Sequence, residues 1–321
     1  MIKFMINKSE IAMLTTKIIN ELEECKKYWD IFTEKKYLFD FWDYRACFYF
    51  PGNCILNFIL ALDDGKPVAL MPLWKEKGKG YHEFFGGEFA ERNRFMLSPD
   101  YRTKKMVESI LKKLPPKTYL PYIDQSEISL AELNECEKRY FLELEKFNFS
   151  FDNYVNSFSK KHRKNFRRDI RLFDERHPVV RHNRIENLDR MFELNRERFY
   201  EGSFFAGEFF SSGFRNLVGI ASKNGELNMI SIEIEGQVEA VEVAVLKNGI
   251  YYVLMGGNNL KISNIGKYLT SEHIKNAISK GAKLVDFLST DSNWKELWNF
   301  TSEQTYEYCN FDIDKLHRQE K

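Results

Sequence analysis

One stretch, residues 249–298, constrains the fold more than any other. It reads GIYYVLMGGNN, LKISNIG, KYLTSEHIKNAISKG, AKLVDFL and STDSNWKELW. Hydrophobic periodicity makes this strand, loop, helix, strand, helix. Gly256-Gly257 and Asn258-Asn259 break the first strand, and Ser263-Asn264 offers an N-cap. Gly266 lets a ligand approach the backbone of the first helical turn, and Gly281 stands where the helix stops. A strand that feeds a helix N-terminus through such a loop presents unpaired N–H groups. These suit an anion, such as the phosphates of a cofactor.

The residues before this stretch supply a sheet for it. In 227–235, Ile230, Ile232 and Ile234 alternate with Ser231, Glu233 and Glu235. Glu235-Gly236 turns the chain into VEAVEVAVL, and Asn248-Gly249 is a strong hairpin signal. Three antiparallel strands, 227–235, 238–246 and 250–257, thus lead into the helix 266–280 and the strand 283–288. The first half repeats this order: hairpin 53–74 around a DDGK turn, strand 81–85, helix 103–114 stopped by Pro115-Pro116, and strand 118–123. A tandem of one fold is expected. The fold class is α/β (α+β), with two domains, 1–145 and 146–321, each a mixed, mostly antiparallel sheet flanked by helices. A length of 321 residues suits two such domains.

Other segments are read as follows. A helix is expected over 9–28, capped by Ser9, and another over 188–200 with Leu188, Met191, Phe192, Asn195 and Phe199 inward. Residues 124–147 connect the domains, with 135–145 helical in part. EGSFFAGEFFSSGF, residues 201–214, is either a mobile lid or a loop tucked under its own phenylalanines. Asp291 is the expected N-cap of a helix over 292–300 that buries Trp294 and Trp298.

With 48 basic and 47 acidic residues, nothing global selects a polyanion partner. The basic charge is local, in SFSKKHRKNFRRDIRLFDE, residues 157–175. There Phe166, Ile170 and Phe173 form one apolar face, and Lys160, Lys161, Arg163, Lys164, Arg167, Arg168 and Arg171 surround it. This helix either holds an anionic acceptor or donor, binds nucleic acid, or is a solvated amphipathic helix. The five cysteines are scattered without a CxxC spacing, and the six histidines lack metal spacing, so neither metal nor disulfide framework is expected. No run approaches the ~18 apolar residues of a membrane span, and the N-terminus lacks a signal-peptide pattern. A cytoplasmic protein is expected.

Four segments carry a resemblance: SKKHRKNFRRDIR (159–171), GGNNLKISNIGKYL (256–269), DFLSTDSNWKELW (286–298) and GKPVALMPLW (65–74). In their order and spacing the chain resembles the tandem GNAT-type acyltransferases of the cellulose-biosynthesis CelD/BioF2-like group, relatives of the FemABX aminoacyltransferases. The family's Ser-Pro-Gly before the motif helix is Asn264-Ile265-Gly266 here, and its Arg-Gly in the closing signature is Ser289-Thr290. The resemblance implies two GNAT-like domains, the second holding acetyl-CoA or another acyl-CoA. It implies transfer of an acyl group, acetyl in the first place, to an amine of an envelope or polysaccharide precursor. The alternatives are FemABX-like transfer from aminoacyl-tRNA, with tRNA as partner, and a degenerate GNAT fold serving as a binding module.

Acyl transfer to an amine needs an anchored donor, a stabilised carbonyl oxygen and a base. Backbone N–H groups from Asn264 through Ile265, Gly266 and Lys267 to Tyr268 are candidates to anchor a pyrophosphate, with the Lys267 side chain. A splayed strand end at Leu254, Met255, Gly256 and Gly257 would offer an N–H to the thioester oxygen. For the base, Glu242 stands out: it lies mid-strand between Ala240 and Ala244 on one face, where small neighbours leave room and an unused carboxylate is costly. Glu239, nearer the turn, reads as solvated. Asp286 and Lys295 come from the closing signature, with Asp286 binding the acceptor amine or orienting Lys295.

Overall fold

The computed structural model describes residues 14–124, 132–289 and 294–312. The chain divides into two compact units: Met1–Glu34, Tyr49–Cys136 and Thr305–Lys321 form one, Lys35–Phe48 and Glu137–Gln304 the other. Compactness thus puts the principal break at Cys136/Glu137, nine residues ahead of the 145/146 division expected from sequence, and returns the last segment to the first unit.

The first unit opens with β1 (Thr15–Ile19) and α1 (Leu22–Phe32). A helix over 9–28 was expected, so its middle is corrected to a strand; Ser9 lies outside the described residues. The reason is tertiary pairing. β1 is mostly β-branched, and it pairs antiparallel from Thr15↔Leu62 to Ile19↔Phe58. After α2 (Trp42–Ala46), which belongs to the second unit, come β2 (Cys54–Leu56), β3 (Phe58–Asp63), β4 (Lys66–Met71), β5 (Leu73–Glu76), β6 (Glu83–Phe84), β7 (Met96–Leu97), α3 (Lys104–Leu111) and β8 (Tyr119–Ile123). The expected hairpin 53–74 is present but breaks at Asn57 and Pro72, so its strands serve two sheets, ordered β1-β3-β4-β7 and β2-β5-β6. Met106, Val107, Ile110 and Leu111 of α3 pack on Ile59, Ala69 and Met71.

The second unit holds β9 (Asn134–Glu143), α4 (Phe151–Asn156), α5 (Lys160–Asp174), β10 (Val179–His182), α6 (Leu188–Phe199), α7 (Glu208–Lys223), β11 (Ile230–Ile234), β12 (Gln237–Lys247), β13 (Ile250–Asn258), α8 (Ile265–Ser279) and β14 (Leu284–Asp286). Its sheet runs β10-β11-β12-β13-β14-β9, antiparallel except for β13 and β14, which the α8 crossover makes parallel. The expected three-strand lead-in is therefore present. β15 (Thr301–Cys309) ends the described chain, and its residues Tyr306–Cys309 pair with β8 in the first unit.

Three expectations in this unit are corrected, and one left open between two alternatives is resolved. Residues 135–143 are strand, because Phe141, Leu142 and Glu143 pair with Asp286, Val285 and Leu284, and a 3-10 turn, Leu144–Phe147, follows. Residues 201–214 are a short loop that passes into α7, and their rings pack on one another and on α6: Phe204 tilted on Phe210 at 4.9 Å, Phe205 edge-on to Phe214 at 5.4 Å and Phe205 stacked on Phe192 of α6 at 4.3 Å. The tucked alternative is thus the one observed. The helix expected over 292–300 is one 3-10 turn, Lys295–Trp298, and Asp291 lies outside the described residues. Phe199, expected inward, is 43% exposed beneath the Arg198 guanidinium, whereas Asn195 is buried.

Two clusters position the site. Phe173 of α5, Ala240 of β12, and Ile265, Tyr268 and Leu269 of α8 form one; Phe166, Ala244, Ile274 and Ala277 belong to the other. The helices α5 and α8 therefore cover the face of β12 that carries Ala240, Glu242 and Ala244. The opposite face meets α6.

Candidate active site at the β12–β13–α8 junction

Glu242 sits on β12 opposite Gly256 of β13. A Cβ on Gly256 would come within 2.9 Å of the Glu242 Cβ and 3.0 Å of its Oε1, so the glycine makes room for the carboxylate. The side chain is 23% exposed. Burial pushes its pKa up to about 7, against the opposing pull of Arg198 and Lys295. A carboxyl that titrates there exchanges protons at neutral pH.

The strand beside it changes partners here. β13 pairs with β14 only over Ile250–Tyr252. Beyond Tyr252 its partner among the described residues is β12, and even that ladder skips Leu254, since Val243 faces Met255 and Ala244 faces Val253. Such a bulge bends and twists the strand. Half-buried Leu254, Met255 and Gly256 therefore lie on an edge with backbone groups open on one side. Gly257 has a different task from its neighbour: it faces α6, where a Cβ would meet Met191 O at 2.5 Å and Asn195 N at 2.7 Å. Asn195 Nδ2 donates to Gly256 O at 2.7 Å, and Ser203 Oγ donates to Asn195 Oδ1 at 2.7 Å.

The α8 N-terminus assembles in part as expected. Asn264 is its N-cap residue, but in the left-handed conformation (φ 67°) and without a side-chain cap. Ile265 N bonds to Ile262 O and Tyr268 N to Asn264 O, while the N–H groups of Gly266 and Lys267 have no backbone partner among the described residues. A Cβ on Gly266 would meet nothing within 4 Å, so that turn is open. The side chains of Ile265 and Tyr268 point to the core, Tyr268 against Phe173 at 4.5 Å. Lys267 Nζ bonds to Asp169 of α5 at 2.5 Å, which ties the basic helix to this turn.

Asp286 and Lys295 bear on one bend, the exit from β14. Asp286 is fully buried; Oδ2 accepts from Arg139 of β9 at 3.0 Å and Oδ1 from Leu288 N at 3.0 Å. Leu288 has φ 59°, a conformation that this hydrogen bond helps to hold. Lys295 Nζ donates to Phe287 O at 2.7 Å and Leu288 O at 3.3 Å. Both residues thus brace the backbone beside the site. Asp286→Asn should therefore cost about 1–3 kcal/mol, since it removes one of two carboxylates from the buried Arg139, whose Nη2 keeps Glu303 Oε2 at 2.5 Å; chemical denaturation measures it, and an unchanged midpoint would contradict this bracing.

The sequence reading missed His273, Tyr251, Asn276 and Arg198. His273 is fully buried on α8, with Nε2 3.3 Å from Glu242 Oε2 and Nδ1 2.9 Å from Tyr251 Oη. A signal was available: Leu269, His273 and Ala277 recur every four residues on one helical face. Arg198 bonds to Asn258 Oδ1 at 3.1 Å, and Asn259 Nδ2 donates to Glu239 at 2.8 Å, so Glu239 is tethered to the loop. Among the described residues, no group of three or more His, Cys, Asp and Glu could hold a metal ion, and no helix is long and apolar enough to cross a membrane.

Comparison with known proteins bears on the fold. Residues 160–296 match the family model described as an acetyltransferase (GNAT) domain. No curated protein matches by sequence. Among solved structures, FemX is similar at 12% identity and a TM-score of 0.56, covering 94% of this chain and 99% of that one. A tandem GNAT protein from the clavulanic acid biosynthesis pathway is similar at 9% identity and 0.57, with coverages of 94% and 99%. L-PGS from Bacillus licheniformis gives 12% and 0.57, with 96% of each chain covered. At these identities the structures show fold alone: the chain has a tandem GNAT fold, and its residues 160–296 are the part that is similar to the acetyltransferase (GNAT) domain.

Proposed function

We propose that the chain is an N-acyltransferase that moves an acyl group, acetyl in the first place, from an acyl-CoA to an amine, with Glu242 as general base. The observation that carries this reading is the half-buried Glu242 carboxyl, pushed up to about 7, opposite Gly256 beside the open edge of β13. Bound there, an acyl-CoA supplies an activated thioester carbonyl. Glu242 accepts the proton of the attacking amine. The open edge at Leu254, Met255 and Gly256 offers backbone groups to the extended arm of the donor, in the manner of an added strand. The N–H groups of Gly266 and Lys267, on the turn that begins with Asn264 and Ile265 and ends at Tyr268, suit its phosphates. Asp286 and Lys295 act as positioning residues on the adjoining bend. By its likeness to the CelD/BioF2-like group, the acceptor is an amine on an envelope or polysaccharide precursor, and the compartment is the cytoplasm. The second unit, Lys35–Phe48 and Glu137–Gln304, carries the site.

Calorimetric titration with CoA and acetyl-CoA tests the donor. Binding is expected at or below the ~1 μM–1 mM range typical of enzyme substrates. No heat at millimolar ligand would sink the CoA reading. An aminoacyl-tRNA donor is favoured by one observation only. Lys160, Lys161 and Lys164 of α5 are exposed, and none pairs with a carboxylate among the described residues. That reading predicts tRNA binding that falls with salt, by about 20–40-fold between about 50 and 200 mM if these three lysines each neutralise a phosphate; gel-shift titration at the two salt concentrations measures it.

A further inference from the structure

Behind Glu242 lies a chain of buried polar groups that the acyl-transfer reading does not use. Asn276 Nδ2 donates to Tyr251 Oη at 3.0 Å and to Asn228 Oδ1 at 3.2 Å, which occupies both of its hydrogens. Tyr251 Oη, having accepted one hydrogen, has one to give. His273 Nδ1 at 2.9 Å is a better acceptor for it than Asn228 O at 3.5 Å. A neutral imidazole that accepts at Nδ1 carries its hydrogen on Nε2. That nitrogen lies 3.3 Å from Glu242 Oε2 and makes no aligned hydrogen bond among the described residues. It is fully buried, so water does not satisfy it, and a buried donor left unpaired is costly.

We propose that His273 is a positioning residue for Glu242: Tyr251 and Asn276 lock it as the neutral Nε2–H tautomer, which holds a donor for the ionised carboxylate. The order of groups is Asn276, Tyr251, His273, Glu242, each donating to the next once Glu242 is ionised. When Glu242 gives up its proton, the Nε2–H rotates into line with Oε2. The groups that face this pair are Tyr251 from β13, Arg198 from α6 and Lys295 from the turn after β14. His182 on β10 acts on His273. Burial holds His273 neutral, pushed down to about 3, and the His182 charge works in the same direction. The imidazole therefore donates without becoming a second acid.

The inference rests on Glu242 as the base for its catalytic meaning, but its first test needs no activity. Full-length protein labelled with ¹⁵N-histidine is titrated by long-range ¹H–¹⁵N correlation. His273 should give the neutral Nε2–H pattern throughout, with a shift step centred near pH 7 as Glu242 ionises. The step should vanish in Glu242→Gln, and the single-tautomer pattern should be lost in Tyr251→Phe. An Nδ1–H tautomer at pH 8, or no step at any pH, would overturn the proposal while leaving Glu242 free to be the base. With an acceptor in hand, His273→Leu should move the acidic limb of kcat/KM upward in pH. His273→Gln, whose amide places a donor where Nε2–H stood, should restore it. A purely structural role would lower activity in both variants without moving the limb.

Discussion

Glu242→Gln should lower kcat/KM for acyl transfer by about 10²–10⁴, the usual worth of a positioned general base, with CoA affinity little changed. Glutamine keeps the shape opposite Gly256 and can still accept from His273, so the fold is preserved and the loss isolates proton removal. In the parent chain the rate should fall as pH drops below about 7, because burial holds the Glu242 carboxyl protonated there. Loss of that acidic limb in the variant is the matching observation. Wild-type activity in Glu242→Gln would remove the base from Glu242.

The same substitution has a stability consequence of opposite sign. The carboxyl titrates near 7 in the folded chain and near its ordinary 4.5 in the unfolded one. Between those values the native state binds the extra proton, so stability falls as pH rises through the window. Above about pH 7 the ionised group costs on the order of 3 kcal/mol, which glutamine does not incur. Glu242→Gln should therefore unfold later than the parent at pH 8 and no later at pH 4, by urea denaturation. Glu83, buried in the first unit and likewise pushed up to about 7, gives both proteins the same slope and cancels in the comparison. A more stable but less active variant is what a residue kept for chemistry should yield.

How much of this was legible in the sequence follows from which interactions are local. The alternation of Ile230, Ile232 and Ile234, the Asn248-Gly249 turn and the periodicity of α8 are written in neighbours along the chain, and the expected strands and helix are observed there. Glu242 was conspicuous because a mid-strand carboxylate between Ala240 and Ala244 breaks the pattern. The misreadings share one cause. β9 has helix-compatible composition, and the β-branched β1 sits inside an apolar spacing that suits a helix; pairing with the distant β14 and β3 makes them strands. The Asp286–Arg139 pair spans 147 residues and the Tyr251–His273–Glu242 contacts join three elements, so no local spacing announces them. His273 looked like an ordinary residue on a helix until the face it shares with Leu269 and Ala277 was seen to lie over a carboxylate.

The two glycines at 256 and 257 read alike in sequence and differ in what they exclude, which leads to the largest expected loss of stability. Gly257→Val would drive a Cβ to 2.5 Å from Met191 O, 2.7 Å from Asn195 N and 2.8 Å from Leu194 Cβ. Two of those three are backbone, so no rotamer change relieves them; α6 must lift from β13. That movement pulls Asn195 Nδ2 from Gly256 O, a contact of 2.7 Å, and loosens Ser203 on Asn195. Overpacking alone costs about 1–3 kcal/mol, and the severed hydrogen bond adds about 1. Gly257→Val should therefore lower the unfolding midpoint sharply, and Gly257→Ala by a smaller amount. Gly266→Ala is the control. Its Cβ meets nothing within 4 Å, and it lies in the first turn of α8, where alanine favours the helix by about 0.5–1 kcal/mol. It should leave the protein as stable or more so, yet weaken CoA binding, because the methyl group occupies the approach to the Gly266 and Lys267 N–H groups. If Gly266→Ala binds CoA as the parent does, the α8 turn is not the phosphate site, whatever Gly257→Val does to the fold.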